Sequence, residues 1–211
     1  MVAINTIKLR KLIDKINPKL ILFGETHGLL NETKIQEEIL KNFKCDVFLY
    51  ELLEDKELLS NESQENFILK PDEENFSLIS KNKDLKDTIK LAMKFNIPIK
   101  GCDIKNMGRE DTLFRERELT EKEEKEEDKL MIRRELNQFN KINEELLKNK
   151  KVFALVGIYH ILPRSELIKN LVGRNIIIIY PIFKDGEQFG YRIEFNLDEI
   201  IYTSKTLKEY L

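Results

Sequence analysis

Apolar residues at positions 7, 9, 12, 13 and 16 form a helical stripe, and Pro18 ends it. Leu20-Ile21-Leu22-Phe23 follows as an unbroken apolar run stopped by Gly24, the pattern of a parallel strand buried on both faces. Residues 31–41 return to helical spacing, with Asn31 as N-cap and Ile35, Ile39 and Leu40 turned inward. Val47-Phe48-Leu49-Tyr50 reads as a second buried strand, so the three segments predict a β-α-β unit with a right-handed crossover.

The pattern weakens over residues 55–82, where Phe67, Ile68, Phe76 and Ile79 stand isolated among Asn, Ser and Glu; this predicts an irregular insertion or lid. Residues 84–95 predict a helix with Leu85, Ile89, Ala92 and Met93 on one face, and Ile97-Pro98-Ile99 opens a short strand ending at Gly101-Cys102-Asp103. Residues 111–149 predict one long helical segment with Asp111 as N-cap. Its stretch 120–129 has no apolar residue and should project into solvent. Further along it, Ile132, Leu136, Phe139 and Leu146, with Asn143 as a polar member, form the stripe expected to face the core. Strands are predicted over 151–156, 176–180 and 189–197, a helix over 164–171, and a turn at Lys184-Asp185-Gly186. The whole predicts a single α/β domain over 1–211: a central, mostly parallel sheet flanked by helices, plus an extended charged helical segment.

Composition supports that picture. At 41% hydrophobic and 35% charged residues, the chain can build a core under a heavily charged surface. Its charges are interspersed and sum to −2, so no global field recruits nucleic acid or an anionic membrane. The longest charged run, mostly acidic over 121–128, reads as a solvated helix face. The longest apolar run, 176–183, is too short to span a bilayer, and the first residues carry no apolar export segment, so the expected location is the cytoplasm. Cys45 and Cys102 each lie in or beside an apolar run and read as buried structural thiols, not a disulfide pair.

The chain has only two histidines, and both follow the same pattern of apolar strand, glycine, two residues, histidine: Gly24-Glu25-Thr26-His27 and Gly157-Ile158-Tyr159-His160. Glycine would let the chain turn off the strand end, and the following side chains would face the crevice above the sheet, where open α/β sheets bind ligands. Glu25, Glu51 and Asp103 are each the first acidic residue after a strand-like run. Five such groups at one edge predict a convergent polar site. A carboxylate beside an imidazole raises its basicity and suits it to general base work near neutral pH. The set Glu25, His27, Glu51 and His160 would equally suit a divalent metal. A P-loop, a dinucleotide-binding glycine motif, Cys-x-x-Cys, H-E-x-x-H and a G-x-S-x-G nucleophile are all missing, so hydrolysis would have to use an activated water.

Gly24-Glu25-Thr26-His27-Gly28, Tyr50-Glu51 and Gly157-Ile158-Tyr159-His160 resemble, in the same order, three motifs of the superfamily that joins erythromycin esterases, ChaN-like haem-binding proteins, TraB/PrgY proteins and Tiki proteases. The matches span residues 20–162. The resemblance implies an erythromycin esterase/ChaN-like fold with its site over the carboxyl edge of the sheet and roles for Glu25, His27, Glu51 and His160. Gly101-Cys102-Asp103 is similar to a Gly-x-Asp element of the esterase branch. The superfamily's R-D/E-x-x-M element is met only in part: Arg134-Glu135 has Gln138 at the methionine position, and Arg115-Glu116 is followed by Leu119. Arg134 is the candidate by its distance from His160, but helical phase turns it away from the apolar stripe and predicts a solvated side chain.

Two functional classes follow. One is a hydrolase of an ester or amide in a small molecule or peptide: His27 takes a proton from water, Glu25 or Glu51 orients it, and His160 stabilises developing charge or carries a second proton. The other is a non-catalytic protein that binds haem or a divalent metal through the histidines, or a TraB-like regulator.

Overall fold

The structure is a computed structural model and describes residues 6–26, 32–70, 83–108, 121–184 and 187–195. In chain order the elements are α1 (Thr6–Ile16), β1 (Leu20–Glu25), α2 (Glu32–Asn42), β2 (Val47–Tyr50), β3 (Glu57–Leu58), α3 (Asn61–Leu69), α4 (Lys83–Lys94), β4 (Ile99–Gly101), α5 (Glu121–Leu147), β5 (Val152–Gly157), α6 (Glu166–Leu171), β6 (Ile176–Lys184) and β7 (Glu187–Phe195). Asn17, Asn96 and Asn149 sit in left-handed backbone (φ 46, 53 and 60) just past α1, α4 and α5, as helix stops do.

The sheet runs β3-β4-β2-β5-β1-β6-β7. Its five inner strands are parallel, and β3 and β7 pair antiparallel at the edges. β5 lies between β1 and β2, so the first two strands are not neighbours as the expected β-α-β unit would have them. Alternation along each strand divides the core in two. Ile21, Phe23, Phe48, Tyr50, Phe153 and Leu155 pack on one face against α1, α2, α3 and α4. Leu20, Leu22, Leu49, Ala154 and Val156 pack on the other against α5 and α6. The apolar strands are buried on both faces because helices cover both.

β1 and β5 are neighbours, yet α2 leaves β1 on one face and α6 leaves β5 on the other. Their carboxyl ends therefore flank a topological switch point, the crevice where open α/β sheets place ligands.

Two expectations need correction. Residues 57–69 are not irregular: they form edge strand β3 and helix α3, with Leu58, Phe67 and Ile68 buried. Polar residues do the structural work there, which hid the element: Ser60 and Ser63 make a capping box, and the Gln64 amide donates to Leu58 O and Ile97 O. Residues 71–82 lie outside the described residues, as do 109–120 of the expected helical segment. The other correction concerns the first half of the α5 stripe. Phe139 and Leu146 pack against the core as expected, but Ile132 and Leu136 are 46% and 39% exposed, while Arg134, Glu135, Gln138, Ile142 and Glu145 are buried. Among the described residues, no helix is long and apolar enough to cross a membrane. Cys45 and Cys102 are free thiols, and burial pushes both up, Cys45 to about 12.

Two glycines allow close approach and make no turn. A Cβ at Gly24 would lie 2.1 Å from Ile161 Cδ1, and one at Gly101 would lie 2.1 Å from the Glu54 carbonyl oxygen. The first obstacle is the end of a side chain and can rotate; the second is backbone. Gly24→Ala is expected to cost about 1–3 kcal/mol, within the usual range for overpacking, and Gly101→Ala more. Urea unfolding of the two variants checks the order; a smaller loss for Gly101→Ala would contradict it.

Candidate functional site

β2 ends at Tyr50, which joins the α2/α4 side, and the next residue, Glu51, turns toward α5. The turn that follows, Glu51–Leu53, crosses the end of β4. The carbonyls just after it accept from that strand's end: Asp103 N–H donates to Glu54 O, and Gly101 N–H donates to Lys56 O. Gly101 is needed because the Glu54 backbone lies against it. This crossing fixes Asp103 beside Glu51.

Arg134 of α5 joins the two carboxylates. Its Nη2 donates to Glu51 Oε1 at 2.6 Å, and its Nε donates to Asp103 Oδ2 at 2.8 Å, with Nη2 also reaching that oxygen. Asp103 Oδ1 accepts from the Ile104 N–H. The second oxygen of Glu51 accepts from the Gly157 N–H at the end of β5. Helices rarely bury an arginine against a sheet, but here three strand ends present two carboxylates and one N–H to it and its partner. The expectation of a solvated Arg134 is therefore overturned: the residue is 8% exposed, and the phase of α5 follows the charge cluster, not the Ile132/Leu136 stripe.

His160 lies in the 3-10 turn Ile158–Ile161 that continues β5. Its Nε2 is 3.3 Å from Glu51 Oε1 and its Nδ1 is 3.4 Å from Glu135 Oε1. Glu135 is the residue that sequence reasoning missed as a member of the site. The signal available was the polar row 134, 138 and 145 with Glu135 beside it, a helical period of groups that only charged partners could bury.

Burial opposes the charged forms of both His160 and Glu51, but their partners outweigh it. The carboxylates of Glu135 and Glu51 beside the ring raise His160 from 6.5 to about 9. His160, Arg134 and the Gly157 N–H hold Glu51 down from 4.5 to about 2. At neutral pH the pair is an imidazolium and a carboxylate. Each ring nitrogen has a carboxylate oxygen near it, Glu51 at Nε2 and Glu135 at Nδ1, which favours the protonated ring.

The structure thus brings together Glu51, Asp103, Arg134 and His160. Glu25 reaches the same edge, opposite Gly157 in the β1–β5 pairing, but on the face of Phe23 and Tyr50. Burial and the Glu25 charge push the Tyr50 phenol well above its usual range. Glu25 is buried and separated by the sheet edge from the Arg134 cluster. His27 lies outside the described residues.

The oxygens of Glu51 and Asp103 that a metal would use already accept from Arg134 and Gly157, with His160 Nε2 3.3 Å from Glu51 Oε1. A divalent ion held by Glu51 and His160 would have to displace the guanidinium or deprotonate the imidazolium. Haem ligation by His160 would need a nitrogen lone pair that neither ring nitrogen of an imidazolium has.

Two outcomes are expected. Arg134→Met leaves Glu51 and Asp103 buried without their cation and should cost about 3–5 kcal/mol, measured by chemical unfolding; a loss below about 1 kcal/mol would mean that the arginine does not anchor the helix. The second concerns pH. His160, with its raised pKa, contributes stability that is fully present below pH 6.5 and lost as pH rises through about 9. Glu51, with its lowered pKa, contributes stability present above pH 4.5 and lost as pH falls through about 2. Unfolding free energy should therefore decline between pH 6.5 and 9, and that decline should vanish in His160→Gln.

No family model matches the chain, and no curated protein matches it. Two solved structures share its fold. The type III effector HopBA1 is similar with a TM-score of 0.56 and 13% identity, covering 81% of this chain and 81% of its own. RRSP, a MARTX toxin effector domain from Vibrio vulnificus CMCP6, is similar with a TM-score of 0.52 and 18% identity, covering 92% of this chain but 38% of its own. At these identities the likeness shows a common α/β architecture with a mostly parallel sheet.

Proposed function

We propose that the chain is a hydrolase that cleaves an ester or amide bond with a water activated over the carboxyl edge of the sheet. The observation that carries this reading is the imidazole of His160 held between Glu51 and Glu135, beside Arg134, at the switch point of β1 and β5. A buried pair of cations with fixed partners is what a developing oxyanion requires, since it needs no reorganisation during the reaction. Perturbed titration in such a crevice is a further pointer to function.

In the proposed reaction His27 is the base. It takes a proton from water while the water oxygen attacks the carbonyl carbon. The oxyanion so formed is stabilised by the positive charge of His160 and Arg134. Collapse breaks the bond to the alcohol or amine, which leaves with a proton from His27 or His160, and an acid is released. Glu51 has both oxygens engaged, so Glu25, in the same turn as His27, is the carboxylate assigned to orient it. The likeness of the Gly-Glu-Thr-His and Gly-Ile-Tyr-His turns to the erythromycin esterase, ChaN, TraB and Tiki superfamily supports the same assignment. The substrate is a small molecule or peptide. The donor set favours metal-free chemistry over a divalent ion or haem, for the reason given for Glu51 and His160.

The test is turnover of a panel of chromogenic esters and amides by the purified protein. Replacing His27 by Ala or His160 by Gln should lower kcat/KM about 100-fold or more, the usual worth of a positioned acid or base. Wild-type turnover should survive prolonged chelation. Turnover unaffected by either histidine variant would overturn the reading, as would a full equivalent of bound metal lost on replacing His27.

A further inference from the structure

We propose that Glu135 is a positioning residue for His160: its carboxylate spans the imidazole Nδ1 and the first backbone N–H of α6, and so sets the direction in which the ring presents its other nitrogen. The inference rests on the hydrolase reading for its purpose, but not for its geometry. Glu135 Oε2 accepts from the Glu166 N–H at 2.7 Å, while Oε1 lies 3.4 Å from Nδ1. One buried carboxylate therefore serves two elements that are separated from it by about thirty residues of chain.

The same helix end holds His160 a second time. Ser165, the N-cap of α6, donates its hydroxyl proton to the His160 carbonyl at 2.7 Å and accepts from the Ile168 N–H at 3.1 Å. The Ser165 N–H in turn donates to Leu162 O, closing the intervening loop on itself. His160 is thus fixed at its backbone through Ser165 and at its ring through Glu135, and both anchors meet at the first turn of α6. A ring beside Glu51 alone could rotate about the bond to its Cβ; with a second carboxylate 3.4 Å from Nδ1, rotation separates a charged pair.

A cap for α6 needs one oxygen. The Oε2 contact would satisfy it, and a neutral amide would do as well. The second oxygen, placed against Nδ1, is not accounted for by capping. The charged groups that face the ring are Glu51 after β2 and Glu135 and Arg134 of α5, with Asp103 after β4 engaged by Arg134. Of these, only Glu135 touches Nδ1. Its removal is therefore a selective perturbation of one ring nitrogen.

Glu135→Gln separates the two roles, since its amide oxygen can still accept from the Glu166 N–H while the charge beside Nδ1 is gone. The full chain is used in a His27→Gln background, which leaves one histidine and hence one imidazole signal in NMR. The expected result is a His160 proton affinity at least about tenfold lower in Glu135→Gln, with altered ring nitrogen shifts and a retained fold, and partial return in Glu135→Asp. An unchanged His160 titration in Glu135→Gln would overturn the proposal and leave Glu135 as a helix cap. Should Glu135→Gln fail to fold, Glu135→Asp decides: a His160 titration identical to that of the parent would equally overturn the proposal, and a lowered one supports it. The hydrolase reading fails separately, by absence of ester and amide turnover in the wild-type protein, which leaves this titration untouched.

Discussion

The guanidinium of Arg134 between Glu51 and Asp103 is the contact on which the site depends. It ties α5 to the ends of β2 and β4, and through Glu51 it reaches the end of β5 and His160. Burying a lone charge is costly enough that such a group would normally neutralise or turn to solvent. Here each partner's remaining hydrogen-bonding capacity is met by backbone N–H groups at the strand ends, so the cation can stay charged out of water. A buried ion pair of this kind is weak as a source of net stability compared with an apolar contact of the same volume, but breaking it from one side is severe. Its consequence is orientation: α5 can sit on the sheet in only one phase.

That phase explains an otherwise wasteful surface. Ile132 and Leu136 stand partly exposed while Glu135, Gln138 and Glu145 are buried. Near its other end, Glu145 receives Lys100, Lys148 and Lys150, so charge pairs fasten both ends of the buried row. Ile142 between them provides the apolar seat on the sheet. Phe139 and Leu146 pack beside it, so only the Ile132/Leu136 half of the apolar stripe is turned outward.

The sheet contributes the remaining constraint. Tyr50 ends β2 on the α2/α4 face, and Glu51, opening the turn after it, reaches Arg134 on the other, so the two do not serve the same pocket. The carboxyl edge therefore carries two polar groups of residues, one with Glu25 and Tyr50 under α2 and α4, the other with Glu51, Asp103, Arg134, Glu135 and His160 under α5 and α6. Of the two histidines, alike in sequence, His160 lies between the Glu51 and Glu135 carboxylates, and His27 lies outside the described residues.

Much of this was legible in the chain itself. Unbroken apolar runs at 20–23, 47–50 and 152–156 could only be strands buried on both faces, and the glycines and acidic residues that follow them had to lie at one edge, because parallel strands end on the same side. That placed Glu51, Asp103 and His160 near one another before any coordinate. Periodicity failed where polar groups take the place of apolar ones: α3 is held by Gln64 and a serine cap, and α5 by a salt-bridged row, so neither shows its buried face as a hydrophobic stripe. Strand order, the face each edge residue occupies and the partner of each charge were settled only by tertiary structure. Sequence spacing fixes which residues lie at a strand end; whether a charge there is buried depends on a partner from a distant segment, and Arg134 and Glu135 become intelligible only once the ends of β2, β4 and β5 stand beside them.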